Sequence, residues 1–237
     1  MSALVVMPAY NEEASLAATL KELAGGVPSV DVLVVDDGST DATAAIARQG
    51  NAAVLRLPFN LGVGGAVRAG LRYAVEHHYE RAVVVDADGQ HPPAAIEALL
   101  AALDGGADLA IGTRFSDGAD PYPIGWLRHR AMRLLHRIVR WRTGQAFTDT
   151  TSGFRAFDRP LIELLARDYP VEYLADTVEV LIMVCEAGYT VVEVPTPMRR
   201  RAAGQASTRR LKLVVNYLRL LIGILASATR HRPRRQP

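Results

Sequence analysis

The 237-residue sequence is poor in cysteine and contains no long apolar run, and each absence excludes a class of protein. Cys185 is the only cysteine, so the internal disulfide framework of small secreted domains is impossible. No stretch reaches the roughly 20 consecutive apolar residues that a membrane-spanning helix needs. The N-terminal segment reaches Glu12 and Glu13 before a signal-peptide pattern is complete. These features predict a cytosolic protein without a spanning helix.

Acidic residues are absent from the C-terminal part of the chain. All 25 lie at or before Glu193, whereas residues 199–237 contain 11 of the 27 Lys and Arg residues. The preceding part therefore has 27 − 11 = 16 basic residues and a charge of about −9, although the whole chain carries +2. This division predicts that the basic tail contacts an anionic partner. Nucleic acid is not expected there, because the tail lacks the interleaved aromatic residues that stack on bases.

Runs of Val and Leu alternate with helical patterns through the first half of the chain. Each run ends in polar residues or glycine, and the helical patterns follow over residues 14–24, 42–49, 65–77 and 94–103. Continuous apolar runs are typical of parallel strands that are covered on both faces. The sequence therefore predicts an α/β fold with a Rossmann-like, mostly parallel central sheet and helices on both faces. Ligands of such sheets bind beyond the carboxyl ends of the strands.

After Ala107 the alternation is less regular. We predict a strand at 108–115, a basic helix at 126–142, a loop at 143–157, a helix at 178–187 and a strand at 190–198. The apolar segment 211–228 is interrupted by Lys212, Asn216 and Arg219, which favours an amphipathic helix lying in a membrane interface. Alternatively, the basic helix and this segment pack on the sheet or dock on a membrane protein. We expect one domain over residues 1–210 and a basic, membrane-associating segment over residues 211–237.

The segment VVVDADGQH, residues 83–91, begins as a buried strand and ends in two aspartates, Asp86 and Asp88. Like charges a few ångströms apart raise each other's pKa unless a cation lies between them. Mg²⁺ or Mn²⁺ held by one or two carboxylates keeps coordination positions for substrate phosphates. The alternative is a solvated acidic turn.

A second acidic strand end, VVDDGSTD, places Asp37 where it can bind a nucleobase or ribose, whereas Ser39 and Asp41 are more simply helix caps.

The order and spacing of six motifs resemble the family 2 glycosyltransferases with a GT-A fold. The motifs are PAYNEE, VVDDGSTD, FNLGVGGAVRAG, DADGQH, GTRF and TSGFRAF, and the resemblance covers roughly residues 3–210. The most similar branch is that of the dolichol- and polyprenol-phosphate sugar synthases. The resemblance implies inverting transfer of a hexose or N-acetylhexosamine to polyprenyl phosphate with Mg²⁺ or Mn²⁺ as cofactor, from a UDP-sugar by preference and a GDP-sugar as the alternative. It also implies a peripheral location on the inner face of the cell membrane, on lipid or on a small membrane protein.

The resemblance also implies roles for individual residues. The nucleotide would be bound by Pro8, Tyr10, Glu12, Val35, Asp37 and Asp86, and the metal by Asp86, Asp88 and Gln90. Catalysis would involve Asp88, Arg114 near the phosphates, Asp149 and Arg155 on the acceptor side, and Arg201. The segment RAAGQAS departs from the family pattern, since Ala206 stands where a serine is expected. The phosphate contacts of that loop are therefore left open.

The acceptor decides whether a general base is needed. A lipid phosphate is already ionised at neutral pH, whereas a sugar hydroxyl of a soluble or cell-wall acceptor needs a base within about 3 Å, for which Asp149 and Glu179 are the candidates. A third hypothesis is a non-catalytic protein that binds nucleotide sugars.

Two further features have more than one interpretation. His91 either touches substrate or caps the turn before Pro92. The segment GVGGAVRAG is interpreted as close packing at a helix start, because its spacing does not match a dinucleotide-binding loop.

Overall fold

A computed structural model describes residues 2–114, 126–170, 176–196 and Arg199, with side chains from 133 onward in the fifth helix and from 177 onward in the seventh. In chain order the strands are β1 (Ala3–Ala9), β2 (Asp31–Asp36), β3 (Ala53–Arg56), β4 (Arg81–Val84), β5 (Leu109–Thr113), β6 (Arg155–Asp158) and β7 (Val191–Pro195). The helices are α1 (Leu16–Gly26), α2 (Thr43–Gln49), α3 (Gly62–Glu76), α4 (Pro93–Asp104), α5 (Trp126–Thr143), α6 (Arg159–Asp168) and α7 (Asp176–Glu186). Arg201 and the predicted segment 211–237 lie outside the described residues.

The strands form one seven-stranded sheet in the order β3-β2-β1-β4-β6-β5-β7. Strand β6 is antiparallel to both of its neighbours, and all other pairs are parallel. The prediction of an α/β fold with a mostly parallel sheet is therefore confirmed. The chain leaves β1 toward β2 and β3 on one side and returns to β4 on the other. This reversal creates a crevice at the carboxyl ends of β1 and β4.

Two apolar layers cover the faces of the sheet. One contains Val6 and Val35 together with α3, α5, α6 and α7, and the other contains Val5 and Val34 together with α1, α2 and α4. Neighbouring residues of one strand point to opposite faces. A strand buried on both faces therefore needs an apolar residue at every position, which explains the continuous Val and Leu runs.

Helix α3 lies very close to the sheet. A Cβ atom at Gly70 would lie 2.2 Å from Cγ1 of Val6, so only glycine permits this approach. The interpretation of the glycine-rich segment as close packing is confirmed. The helix begins at Gly62, earlier than predicted, because the carboxylate of Asp37 accepts the N–H groups of Leu61 and Gly62. That capping residue comes from a different strand, so the local sequence does not reveal it.

The predicted loop at 143–157 is wrong at its end, because β6 begins at Arg155. Helix α6 follows directly and was not predicted. Its start signals are nevertheless present, since Asp158 Oδ1 accepts the N–H of Leu161 at 3.2 Å and Pro160 occupies the first turn. Strand β6 was missed because it is four residues long and begins with a buried arginine, which hides the apolar pattern.

Candidate active site

The carboxyl edge of the sheet brings the predicted site segments side by side. Segments 10–12 and 85–91 follow the adjacent strands β1 and β4, and Asp37 follows β2. Because β6 runs in the opposite direction, the segment that precedes it, residues 149–154, also lies at this edge. After the roles that the sequence resemblance implies, we call the β3-β2-β1 side the donor half and the β6-β5-β7 side the acceptor half.

Hydrogen bonds between the β1 and β2 loops fix the donor half. Asn11, in the left-handed region at φ 54°, donates its N–H to Ser39 Oγ at 3.0 Å and accepts the N–H of Thr40 at 2.9 Å. The N–H of Glu12 donates to Thr43 Oγ1 at 2.9 Å. Ser39 therefore supports the neighbouring loop. Tyr10 follows β1 with 48% of its surface exposed, which leaves its ring accessible to a ligand.

Asp37 and Val35 are buried in the donor half. Asp37 Oδ1 accepts the N–H of Leu61 at 2.7 Å and Oδ2 accepts that of Gly62 at 2.9 Å. Burial raises the pKa of Asp37, and this effect outweighs the two backbone hydrogen bonds that lower it. The side chain of Val35 packs against Gly70 in the core. The nucleotide contacts predicted for Asp37 and Val35 stay predictions.

Exposed apolar side chains beside Asp37 were not identified from the sequence. Phe59 and Leu61, which follow β3, are 63% and 43% exposed. Gly38 turns at φ 74° directly against the backbone of Phe59, 2.9 Å from where its Cβ would lie. Phe59 and Leu61 belong to the motif FNLG. An apolar rim at the donor half is the kind of surface on which a nucleobase can pack.

The loop after β4 carries the acidic pair. The side chain of Asp86 is 47% exposed, whereas Asp88 is buried and its Oδ1 accepts the N–H of Gln90 at 3.0 Å. Thr19 of α1 donates to the carbonyl of Ala87 at 3.1 Å and holds the loop from below. The amide Nε2 of Gln90 donates to the carbonyl of Arg199 at 3.2 Å, so Oε1 is its available ligand atom.

The donor atoms of this loop fit a hard divalent cation. Two carboxylates and one amide oxygen are the ligand types that Mg²⁺ and Mn²⁺ take, and so few protein ligands are usual where substrate phosphates complete the coordination. In the part of the chain that the structure describes, no group of three or more His, Cys, Asp or Glu side chains is placed to hold a metal ion. Asp86 and Asp88, with the amide oxygen of Gln90 as a third ligand, stay the metal ligands that the sequence predicts.

An ion pair organises the acceptor half. Arg114, which follows β5, donates through Nε to Asp149 Oδ2 at 2.7 Å and through Nη2 to Oδ1 at 2.9 Å. Asp149 is fully buried and also accepts from Thr151 Oγ1 at 3.1 Å. Burial alone would raise the pKa of Asp149, but the hydrogen bonds and charge of Arg114 together hold it below its ordinary value. The segment is also held from β7, since Glu193 accepts the N–H groups of Thr148 and Asp149.

Arg155 lies beneath the acceptor half and is only 1% exposed. Its Nε donates to the carbonyl of Ser152 at 2.9 Å and its Nη2 to that of Thr150 at 3.4 Å. These contacts support the loop from the core, and the catalytic role implied for Arg155 stays a prediction. Glu179, the other candidate base, is half-buried in the first turn of α7.

His91 does not cap the turn before Pro92, because neither ring nitrogen makes a hydrogen bond within the described residues. Instead its ring stacks on Phe154, with centroids 4.3 Å apart and an interplanar angle of 13°. The stack links the metal loop to the acceptor half. Sequence reasoning missed it because the two residues are distant in the chain.

Residues 4–165 match the family described as Glycosyl transferase family 2. The chain belongs to glycosyltransferase family 2. Among its relatives, the polyprenol monophosphomannose synthase of Mycolicibacterium smegmatis is 32% identical over 85% of this chain and 78% of its own. The undecaprenyl-phosphate mannosyltransferase of Micrococcus luteus is 34% identical over 87% of each chain. Membership confirms the prediction of a glycosyltransferase.

A solved structure supports the GT-A fold. Glucosyl-3-phosphoglycerate synthase from Mycobacterium tuberculosis, crystallised with Mn²⁺, UDP and glucosyl-3-phosphoglycerate, superposes with a TM-score of 0.73. It is 23% identical, and the alignment covers 95% of this chain and 79% of that one. The predicted GT-A fold is thereby confirmed. Among the helices that the structure describes, none is both long and apolar enough to cross a bilayer.

Proposed function

We propose that this family 2 glycosyltransferase transfers a hexose or N-acetylhexosamine from a nucleoside diphosphate sugar to polyprenyl phosphate on the cytoplasmic face of the membrane, with inversion at the anomeric carbon. The observation that carries the proposal is the acidic pair Asp86 and Asp88 at the chain reversal between β1 and β4. Both relatives described above act on polyprenyl-type phosphates according to their names, and they align with most of this chain. The acceptor class is inferred from them.

The donor half is suited to a nucleotide. Tyr10 and Phe59 expose aromatic surface for a base, and Glu12 belongs to the loop after β1 that is hydrogen-bonded to Thr43. We infer UDP as the preferred nucleotide because the similar solved structure holds UDP, while GDP remains an arm of the test. Pro8, the penultimate residue of β1, is half-buried and lies two positions before Tyr10.

The metal loop is suited to the diphosphate. Asp86, Asp88 and Gln90 would hold Mg²⁺ or Mn²⁺, which when bound stabilises the negative charge that develops on the departing diphosphate. The half-exposed carboxylate of Asp86 lies where an ion can exchange water for phosphate oxygens. Gly89, at φ 76°, makes the turn in which the N–H of Gln90 donates to Asp88 Oδ1.

The acceptor half favours an acceptor that is already ionised. A phosphate oxygen of the lipid forms the new bond to the anomeric carbon while the bond from that carbon to the donor diphosphate breaks, so no proton must be removed. Asp149 is poorly suited to be a general base, because its oxygens accept hydrogen bonds from Arg114 and its pKa is lowered. Arg114, with 31% of its side chain exposed, is positioned by Asp149 to attract an anionic acceptor.

The outer face of α5 is suited to a membrane surface. Trp141 is 77% exposed and Leu134 is 46% exposed, and Arg133, Arg137 and Arg140 are exposed with them. Tryptophan is enriched at lipid interfaces, and arginines near anionic headgroups each contribute about 1 kcal/mol to binding. This face would bring the acceptor half to the lipid on which the acceptor resides. A small membrane protein in place of lipid is an outcome of the vesicle test given below.

The test is a transfer assay with the purified full chain, Mn²⁺, labelled UDP- and GDP-sugars, and either undecaprenyl phosphate or a panel of free sugars. We expect label in the lipid extract with one donor and none in the free-sugar products. Label only in the free-sugar products would overturn the lipid acceptor. Absence of transfer and of donor hydrolysis with every donor would overturn the enzyme assignment.

Matched variants test the metal loop. Asp88→Asn removes one carboxylate charge at nearly constant shape, and we expect the rate of transfer to fall by about 100-fold or more. Glu76→Gln, an exposed change at the far end of α3, is the control and should leave the rate unchanged. Unchanged turnover of the Asp88→Asn enzyme would show that the metal assignment is wrong.

A further inference from the structure

The side chain of His91 is buried without satisfying its polar atoms. Only 2% of it is exposed, and neither Nδ1 nor Nε2 makes a hydrogen bond within the described residues. Buried polar groups in native proteins nearly always have a partner, because leaving one unsatisfied costs free energy. An unsatisfied imidazole beside a candidate metal loop therefore indicates a partner that comes within reach only in another state of the site.

A carboxylate of that loop lies close to His91. Nε2 lies 3.5 Å from Oδ2 of Asp86, slightly too far for an ordinary hydrogen bond. The imidazole is held on its other side by the Phe154 ring. Phe154 is itself immobilised, since a Cβ atom at Gly112 of β5 would lie 2.3 Å from its ring. A shift of a few tenths of an ångström between the Asp86 carboxylate and the imidazole, which is packed against Phe154, would bring the two atoms within hydrogen-bond distance.

We propose that His91 is a positioning residue for the cation, whose Nε2–H donates to Oδ2 of Asp86 and orients this carboxylate toward the metal. The inference depends on the proposed cation at Asp86 and Asp88. Carboxylates that bind metals are commonly oriented by an outer hydrogen bond, and loss of such a partner lowers metal affinity by about 10- to 100-fold. Through its stack on Phe154, His91 also fixes the metal loop against the acceptor half.

Two substitutions separate the hydrogen bond from the stack. His91→Phe keeps a buried ring of similar size against Phe154 but removes the N–H donor. His91→Gln restores an N–H group near the position of Nε2 without the ring. His77→Phe is the matched control, because His77 also stacks on an aromatic ring, Tyr73, with centroids 3.9 Å apart, but lies at the exposed end of α3.

The experiment measures Mn²⁺ binding to the full chain by electron paramagnetic resonance, alone and with UDP or GDP, together with the melting temperature of each variant. We expect His91→Phe to bind Mn²⁺ about 10- to 100-fold more weakly than the unmodified protein while melting at the same or a higher temperature. His91→Gln should recover most of the affinity, and His77→Phe should bind normally.

Three results would overturn the inference. The first is His91→Phe binding Mn²⁺ as tightly as the unmodified protein, and the second is His91→Gln binding as weakly as His91→Phe. The third is a nitrogen coupling in the Mn²⁺ spectrum that disappears in His91→Phe, which would make His91 a direct ligand. If the unmodified protein binds no Mn²⁺ under any of these conditions, the proposed metal site fails as well, so the two failures are distinguishable.

Discussion

Replacement of Asp149 by asparagine is expected to destabilise the protein strongly. In the unmodified protein the guanidinium of Arg114 donates to both carboxylate oxygens of Asp149, at 2.7 and 2.9 Å. Asparagine has nearly the same shape, but it carries no charge and presents an NH₂ group in place of one of these oxygens. Breaking a fully buried ion pair typically costs about 3–5 kcal/mol. Because Asp149 is fully buried while 31% of the Arg114 side chain retains contact with water, we expect the lower end, about 3 kcal/mol.

Urea unfolding of the full chain at pH 7 measures this loss. The matched control is Glu163→Gln, which removes the carboxylate of an exposed i,i+4 pair with Arg159 at 2.6 Å. Such surface pairs contribute about 0.5 kcal/mol or less. A loss for Asp149→Asn no larger than that of the control would refute the argument. A double-mutant cycle with Arg114→Met should assign most of the loss to the pair, since the second change removes the unpaired charge.

Three further predictions concern pH, packing and lipid. The pKa of Asp149 is lower in the folded state than in the unfolded state, where it is about 3.9. The carboxylate therefore stabilises the fold above that pH, and this stabilisation is lost as pH falls through the folded-state pKa. The difference in unfolding free energy between the unmodified protein and Asp149→Asn should accordingly become smaller below about pH 4. Gly70→Ala should destabilise the protein by about 1–3 kcal/mol, because the new Cβ would collide with Val6. The control is Gly25→Ala in α1, which has no atom within 4 Å and should be neutral or slightly stabilising. Equal melting temperatures of the two variants would contradict the close packing of α3 on the sheet. Trp141→Ala should reduce co-sedimentation with vesicles rich in phosphatidylglycerol severalfold; a protein that sediments with no vesicle would favour a membrane protein as the partner of α5.

Much of the fold was predictable because β1, β2 and β4 are largely buried on both faces. A run of apolar residues followed by a polar turn and a helical period identifies these strands and their helices, and the same pattern also indicates the more exposed β3. Strand β6 was not predictable in this way. It is short, antiparallel and begins with Arg155, and its place between β4 and β5 comes from pairing with strands distant in sequence.

The candidate site was predictable where its residues follow strands directly. The position of Asp86 and Asp88 needed only the rule that ligands bind at the carboxyl ends of parallel strands. The contacts of the acceptor half needed the tertiary structure, because Asp149 precedes β6, Arg114 follows β5 and Glu193 belongs to β7. No local pattern indicates that Arg114 and Glu193 both bind Asp149, one at its carboxylate and the other at its backbone N–H.

The two parts of the site hold their acidic side chains in different ways, and this difference has a measurable consequence. Asp149 and Glu193 accept hydrogen bonds from the acceptor half and stabilise its shape, whereas 47% of the Asp86 side chain faces solvent, where an ion can reach it. Substitution of Asp149 or Glu193 should therefore lower mainly the free energy of unfolding, whereas substitution of Asp86 should lower mainly the affinity for the metal. Asp86→Asn should therefore change the unfolding free energy by only about 0.5 kcal/mol while weakening Mn²⁺ binding. If it destabilised the protein as much as Asp149→Asn does, Asp86 would have to be a structural residue like Asp149, and its assignment as a cation ligand would lose its physical basis.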